Sequence, residues 1–425
     1  MYLFALWSGK FLIAMLRLFG KGGSALPGLV ALAVDKNFLH KAATKVKGSI
    51  IITGTNGKTT TAKMTEQILR DCGYKVFRNS AGSNMSRGVA SSFIEHSGIN
   101  GRIHAEWAVL EVDEAFSPII ASIFKPQVIV ALNLLRDQLD RYGELDTTAG
   151  HIGKAISYSK TTILNLDDPL VAELSEHAKG KVLYFGGTPE LASQLPHDAV
   201  LHTHASNKSN KTKRNPDILL SKATTKGVGQ TIEFEYNNQS LKTKLQLPGV
   251  YNAYNAMAAF MVGVTTGVDP KEVTISLSKA KPAFGRAENV EIDGKTLQIL
   301  LVKNPAGYNQ IINTFLSSEK KQNLLLAVND KIADGRDVSW LWDVDFEKLS
   351  KQSHNIICSG IRGYDLAVRL KYADIASVTT TNLNDALKEH VKSLPAGGLG
   401  YVVPTYTAML EVRKILNKRA AMGEL

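Results

Sequence analysis

Residues 48–60 read Gly-Ser-Ile-Ile-Ile-Thr-Gly-Thr-Asn-Gly-Lys-Thr-Thr. The apolar, β-branched start reads as a buried strand, and a helical pattern follows from Thr60 to about Arg70. A strand, a glycine turn, Lys-Thr and a helix, in that order, form a cradle for a nucleoside triphosphate. Gly54, Thr55, Asn56 and Gly57 supply the turn, whose main-chain N–H groups approach phosphate oxygens, and the helix N-terminus adds partial positive charge. Lys58 is placed to reach the β/γ-phosphates, and the hydroxyl of Thr59 or Thr60 to hold Mg²⁺. The full pattern G-x-x-x-x-G-K-[ST] is not met, because Ile52 stands where its first glycine belongs; the loop is a shortened variant. The plain alternative is a tight turn with a chance Gly-Lys-Thr, and the flanking strand and helix weigh against it.

Outward from this loop, strand signals recur at 107–112, 127–133 and 161–165 with helical stretches between them. That alternation predicts an α/β fold with a mostly parallel sheet covered on both faces. Residues 182–247 differ: short alternating runs such as Thr231-Ile-Glu-Phe-Glu-Tyr predict a β-rich insertion, an antiparallel appendage or edge. From Asn252 to about Thr266 the pattern returns to helix. A second series has strands near 297–302, 323–328, 354–358 and 399–403, with helices near 308–317, 362–371, 383–393 and 405–418. It predicts a smaller α/β domain. The expected division is a helical lead-in over 1–46, a central domain over 47–288 and a C-terminal domain over 289–425, with a hinge near Pro282-Ala-Phe-Gly-Arg-Ala-Glu.

Composition sets outer bounds. The chain of 425 residues is long enough for two or three domains, and its formal charge of +11 favours anionic partners without choosing among them. The densest basic stretch, Lys208 to Lys226, reads as a solvated surface insertion, so no nucleic-acid partner is expected. Cys72 and Cys358 are the only cysteines; they exclude a disulfide scaffold and a cysteine-based zinc site, and point to a reducing, cytoplasmic compartment. The apolar stretch 1–19 is interrupted by Lys10 and Arg17 and is too broken for a comfortable membrane span. Two readings remain for it, a helix packed on the next domain and an interfacial helix touching a bilayer. The packed helix is preferred because core helices are commoner.

Other candidate residues cluster at strand ends. Glu111 closes an apolar strand, where a parallel sheet opens its ligand crevice, and can hold Mg²⁺; Asp113 and Glu114 are rivals. Asn133 also ends a strand, and Arg136, Asp137, Asp140 and Arg141 follow it, as a site or a salt-bridge cluster. Asn252 and Asn255 begin a helix and read either as caps or as groups that contact the nucleotide. Arg286 offers a bidentate donor to a phosphoryl group.

The order Gly-Thr-Asn-Gly-Lys-Thr-Thr (54–60), strand-end Glu111, Asn-x-x-x-Asp-Gln-Leu-Asp-Arg from Asn133, Asn-Ala-x-Asn-Ala from Asn252, and Gly285-Arg-x-Glu resembles the Mur ligase superfamily. The C-terminal third is similar to its MurT family. It carries Leu301-Val-Lys-Asn-Pro-Ala-Gly-Tyr, Ser359-Gly-Ile-Arg-Gly-Tyr-Asp and Val403-Pro-Thr-Tyr-Thr-Ala-Met-Leu. Its most specific block is Asp334-Gly-Arg-Asp-Val-Ser-Trp. The resemblance spans nearly the whole chain. It implies a Mur ligase-like central domain and an ATP- and Mg²⁺-dependent carbon–nitrogen ligase. Such an enzyme amidates the α-carboxylate of D-Glu in lipid II to D-isoglutamine through an acyl phosphate, in peptidoglycan synthesis. It also implies a GatD-like class I glutaminase as heterodimer partner, lipid II as membrane-anchored substrate, and action at the inner membrane face. Lys303 and Asn304 are then expected to face the activated substrate as the C-terminal domain closes. Asp337 is expected to complete the partner's Cys–His pair as a triad; its plain alternative is a cap or a salt bridge with Arg336.

Two departures bear on this. Many relatives carry four cysteines as a zinc ribbon in the middle domain, whereas residues 182–247 contain none, so no zinc is expected. Several Mur ligases carry a carbamylated lysine; here Gln138 replaces the motif histidine and Lys154 is out of register, so none is assigned. Two other functions are open at this level: a Mur-type ligase adding an amino acid, as in peptidoglycan or folylpolyglutamate synthesis, and a non-catalytic P-loop nucleic-acid-binding protein.

Overall fold

The structure, a computed structural model, describes residues 1–18, 25–79, 84–135, 145–196, 214–226, 229–281, 286–316, 321–350 and 354–421. The described residues divide into two compact units, one within 1–281 and the other within 286–421.

Three helices open the first unit: α1 (Tyr2–Leu18), α2 (Leu26–Val34) and α3 (Phe38–Ala43). They are followed by β1 (Gly48–Thr53), α4 (Lys58–Asp71), β2 (Val76–Arg78), α5 (Ser86–His96) and β3 (Trp107–Glu111). Next come β4 (Val128–Ala131), β5 (Thr161–Asn165), β6 (Lys181–Gly187), β7 (Ile218–Lys226), β8 (Gly229–Tyr236) and β9 (Gln239–Leu245). These strands form one sheet in the order β2-β3-β1-β4-β5-β6-β7-β8-β9. Pairing is parallel from β2 through β7 and antiparallel across β7, β8 and β9. Of the segment 182–247, β6 belongs to the parallel part of the sheet, and β7, β8 and β9 form its antiparallel edge.

Every residue of β1 is buried. Ile50 and Ile52 point into a core shared with α4 and the helix Val250–Thr265, and Ile51 into the opposite core shared with α1, α2, α3 and α5. Burial on both faces is why this strand is a run of isoleucines and not an alternating one. β1 lies between β3 and β4, where the strand order reverses, so the loop leaving it opens into the crevice that such sheets use for ligands.

The second unit contains β10 (Arg286–Ile292), β11 (Lys295–Leu300), β12 (Asn323–Ala327), β13 (Asn355–Ser359), β14 (Val378–Thr379) and β15 (Leu399–Pro404). Their order is β10-β11-β15-β12-β13-β14, parallel except for the β10–β11 hairpin. That hairpin turns at Asp293-Gly294, both with positive φ, as a two-residue turn requires. Alternation again fills two cores: Leu324 and Leu326 face Tyr308 and Phe346, while Leu325 and Ala327 face Leu387 and Met409. Among the described residues, no helix is long and apolar enough to cross a membrane.

Candidate active site

The loop after β1 is held by its own backbone and by β4. Gly54 has φ +121° and Gly57 φ +91°, both in the region that favours glycine. A Cβ on Gly54 would meet the Asn133 carbonyl oxygen at 2.9 Å, and one on Gly57 would meet Asn255 Oδ1 at 2.3 Å. Asn133 clamps the loop: its Oδ1 accepts from the Asn56 N–H at 2.8 Å and its Nδ2 donates to the Asn56 carbonyl at 2.9 Å. Thr55 Oγ1 donates to the Leu135 carbonyl at 3.2 Å and accepts from its N–H at 3.0 Å. Asn133 and Thr55 therefore shape the turn, and α4 starts at Lys58 with Gly57 as its N-cap.

Two acidic side chains from the end of β3 meet the first turn of α4. Glu111 Oε1 accepts from Thr59 Oγ1 at 2.8 Å and from Asn84 Nδ2 at 2.9 Å. Its main chain is pinned by Asn79, whose Oδ1 accepts from the Glu111 N–H at 2.8 Å and whose Nδ2 donates to its carbonyl at 2.7 Å. Glu114 instead pairs with Lys58, Nζ to Oε1 at 3.1 Å, with both side chains buried. The Lys58 ammonium also donates to the carbonyls of Gly54 and Thr55. Asp113 caps the short turn after β3 by accepting from the Ala115 N–H at 3.3 Å. The three carboxylates thus take separate tasks: Glu111 stands with the Thr59 hydroxyl, Glu114 with the lysine, and Asp113 with the backbone.

Asn252 and Asn255 are buried behind the loop. Asn255 Oδ1 accepts from Thr61 Oγ1 at 3.3 Å, its Nδ2 donates to Asn252 Oδ1 at 3.3 Å, and Asn252 Nδ2 donates to the Pro248 carbonyl at 2.7 Å. Between them Tyr254 donates its hydroxyl to Asp167 Oδ2 at 2.5 Å. Burial first, and then the Asp167 carboxylate, push the Tyr254 phenol well above its usual range, so it stays a donor. Thr60 is buried in the first turn of α4. Arg136, Asp137, Asp140, Arg141, the hinge 282–285 and the Arg286 side chain lie outside the described residues, as does most of the basic stretch near Lys208.

In the second unit Lys303 is half-buried after β11. Asn304 is buried and caps the helix Pro305–Ile311, its Oδ1 accepting from the Gly307 N–H at 2.8 Å. Asp337 is half-buried and accepts from the Ser339 N–H at 2.8 Å. Three residues earlier, Asp334 accepts from both the N–H and the hydroxyl of Thr407, at the start of the helix Tyr406–Ala421. Asn329 donates to the same Thr407 hydroxyl at 3.0 Å, and its own N–H donates to Thr405 Oγ1 at 2.9 Å. Among the described residues, no group of three or more His, Cys, Asp or Glu could hold a metal ion.

The Mur ligase middle domain model matches residues 52–263, and the MurT ligase C-terminal model matches residues 301–409. The lipid II isoglutaminyl synthase (glutamine-hydrolyzing) subunit MurT of Staphylococcus aureus strain COL is 30% identical over 427 residues, covering 96% of each chain. Its namesake from Streptococcus pneumoniae strain R6 is 33% identical over 425 residues, covering 93% of each. The chain belongs to the MurT family. It is accordingly a ligase, and the word subunit in the relatives' name implies a complex. MurT chains share their fold with other Mur-type ligases. MurF from Acinetobacter baumannii superposes with a TM-score of 0.71 at 18% identity, over 92% of this chain and 80% of that one. Folylpolyglutamate synthase from Mycobacterium tuberculosis, solved with ADP and AMPPCP, gives 0.65 at 16% identity over 100% and 99%. Neither identity carries more than the fold.

Sequence reading missed Asn79 and Asn84 beside Glu111, and the partners of Glu114 and, in the second unit, of Asp334. Asn79 and Asn84 lie about thirty residues before the glutamate they orient, in a segment with no motif. Glu114 was legible as an acidic residue and not as the lysine's partner. Asp334 sits inside the quoted Asp-Gly-Arg-Asp block, but nothing in the sequence says that its partner is Thr407.

Proposed function

We propose that this chain is the synthetase subunit of a glutamine-dependent amidating ligase. It transfers the γ-phosphoryl group of ATP to the D-Glu α-carboxylate of lipid II; ammonia attacks the resulting acyl phosphate, phosphate leaves, and D-isoglutamine remains. A GatD-like class I glutaminase supplies the ammonia. The work is done at the cytoplasmic face of the membrane, where such a substrate is anchored.

The observation that carries this reading is the pairing of Lys58, Thr59, Glu111 and Glu114 at the switch point of a parallel sheet, in a chain similar along its length to MurT subunits. Positive-φ backbone at Gly54 and Gly57 lets the loop close against Asn133 and Asn255, and the N-terminus of α4 favours phosphate charge. Lys58 neutralises charge on the transferred group. Thr59 Oγ1 and Glu111 fit a Mg²⁺ ion: Glu111 Oε1 takes both the Thr59 and the Asn84 bonds, so Oε2 is the oxygen a cation would meet. A bound Mg²⁺ would neutralise phosphate charge there. Asn252 and Asn255 support the nucleotide side of the loop, and Arg286 contacts phosphate. Lys303 and Asn304 face the activated carboxylate, with Asn304 oriented by its cap bond. Asp337 orients the partner's histidine and stabilises its charged form.

The test is reconstitution. Chain, partner glutaminase, ATP, Mg²⁺ and D-Glu-containing lipid II are incubated with glutamine, with ammonium alone, or with amino acids. Carboxylate-to-amide conversion, read by mass spectrometry, is expected with glutamine and with ammonium. Product with amino acids and none with ammonium would sink the reading.

A further inference from the structure

α1 is apolar on both sides, and only one side is covered. Its inner side packs through Ala5, Leu6 and Gly9; a Cβ on Gly9 would lie 2.6 Å from Ile94 Cδ1, so α1 sits hard against α5. Its outer side carries Phe4, Trp7, Phe11 and Leu18, spaced as one stripe along a helix and 63%, 48%, 68% and 81% exposed. On α2, packed beside it, Leu29 is also half exposed. α1 is thus the packed helix that the sequence favours, and packing accounts for one side while the other stays exposed.

We infer that this outer stripe lies on the anionic surface of a bilayer, with α1 parallel to the membrane plane. Three observations select that occupant. First, the outer side has little polar demand: Trp7 Nε1 donates back to the Ile99 carbonyl at 2.9 Å and Ser8 Oγ to the Ala5 carbonyl at 2.9 Å, so the large rings can enter hydrocarbon without stranding a donor. Second, α1 contains no acidic residue, and Lys10 and Arg17 run along one flank of the stripe. Glu95 answers Arg17 at 2.8 Å, which leaves a positive balance suited to anionic headgroups. Third, the exposed apolar stripe is one face of a 17-residue helix whose opposite face is packed on the protein, the placement of a helix that lies in the plane of the interface. The inference stands on α1 and its packed neighbours and does not need the reaction proposed above.

The test uses the purified full chain and vesicles without lipid II, made of phosphatidylcholine alone or mixed with phosphatidylglycerol. Co-sedimentation with the mixed vesicles is expected, weakening as salt rises. The double variant Phe4→Ser, Phe11→Ser should bind them at least about tenfold less while keeping the melting temperature and nucleotide affinity of the parent. Lys10→Gln should reduce the preference for phosphatidylglycerol. Failure of the parent chain to bind, or equal binding by the double variant, overturns the inference. So does a dimer that the double substitution dissolves in the absence of vesicle binding, since a second copy would then cover the stripe.

Discussion

The Lys58 ammonium lies 3.1 Å from the Glu114 carboxylate, and both side chains are under a tenth exposed. With the Gly54 and Thr55 carbonyls, the pair holds the lysine buried against its own loop. Lys58→Ala should lower ATP-dependent amidation, measured with ammonium as nitrogen donor, by at least about a hundredfold. Near-normal turnover would remove Lys58 from the site. Glu114→Ala leaves the lysine without its buried counter-charge and should cost about 3 kcal/mol of stability, read by denaturant unfolding.

Thr59 and Glu111 are expected to act together on the cation. Thr59→Val should raise the Mg²⁺ concentration needed for half-maximal turnover by about tenfold or more, while Thr59→Ser should restore it. If both variants titrate like the parent, the 2.8 Å bond between them is structural only.

Asp337→Asn separates the two half-reactions. Asparagine keeps an oxygen for the Ser339 N–H, so the local turn survives. Glutamine-dependent amidation in the reconstituted complex should fall by at least about a hundredfold, with the ammonium-dependent rate unchanged. Equal rates from both donors would reduce Asp337 to a capping residue.

His390 should make the second unit acid-sensitive. It is 1% exposed within the helix Leu383–Ser393, and burial pushes its imidazole from 6.5 down to about 4. The folded protein holds it neutral while the unfolded chain protonates it near 6.5, so its contribution is intact above that pH. It is lost progressively as pH falls toward about 4, where it amounts to about 3 kcal/mol. Unfolding free energy measured between pH 7 and pH 4.5 should therefore slope downward, and His390→Leu should flatten the slope.

Local signals were the legible ones. The isoleucine run and the Gly-Lys-Thr turn lie within thirteen consecutive residues, so β1, the loop and α4 were readable together. Alternating apolar patterns likewise announced β8 and β9. The division of labour among Glu111, Asp113 and Glu114 was not readable, because it depends on whether each side chain meets Thr59, a backbone amide or Lys58 across the sheet end. Asn304 shows the converse. Its place before Pro305 is a helix-start signal, and the cap it makes is a local property that a family role alone does not suggest.

The Asp334–Thr407 link ties the stretch that bears Asp337 to the first turn of the final helix. An Asp334→Ala change touches none of the residues assigned to chemistry and leaves the core residues Ala408, Met409 and Val412 of that helix in place, yet it removes both bonds of this anchor. On the reaction proposed above, nitrogen delivery from glutamine should then fall before ligation with free ammonium does, and the last helix would serve as a latch between subunits.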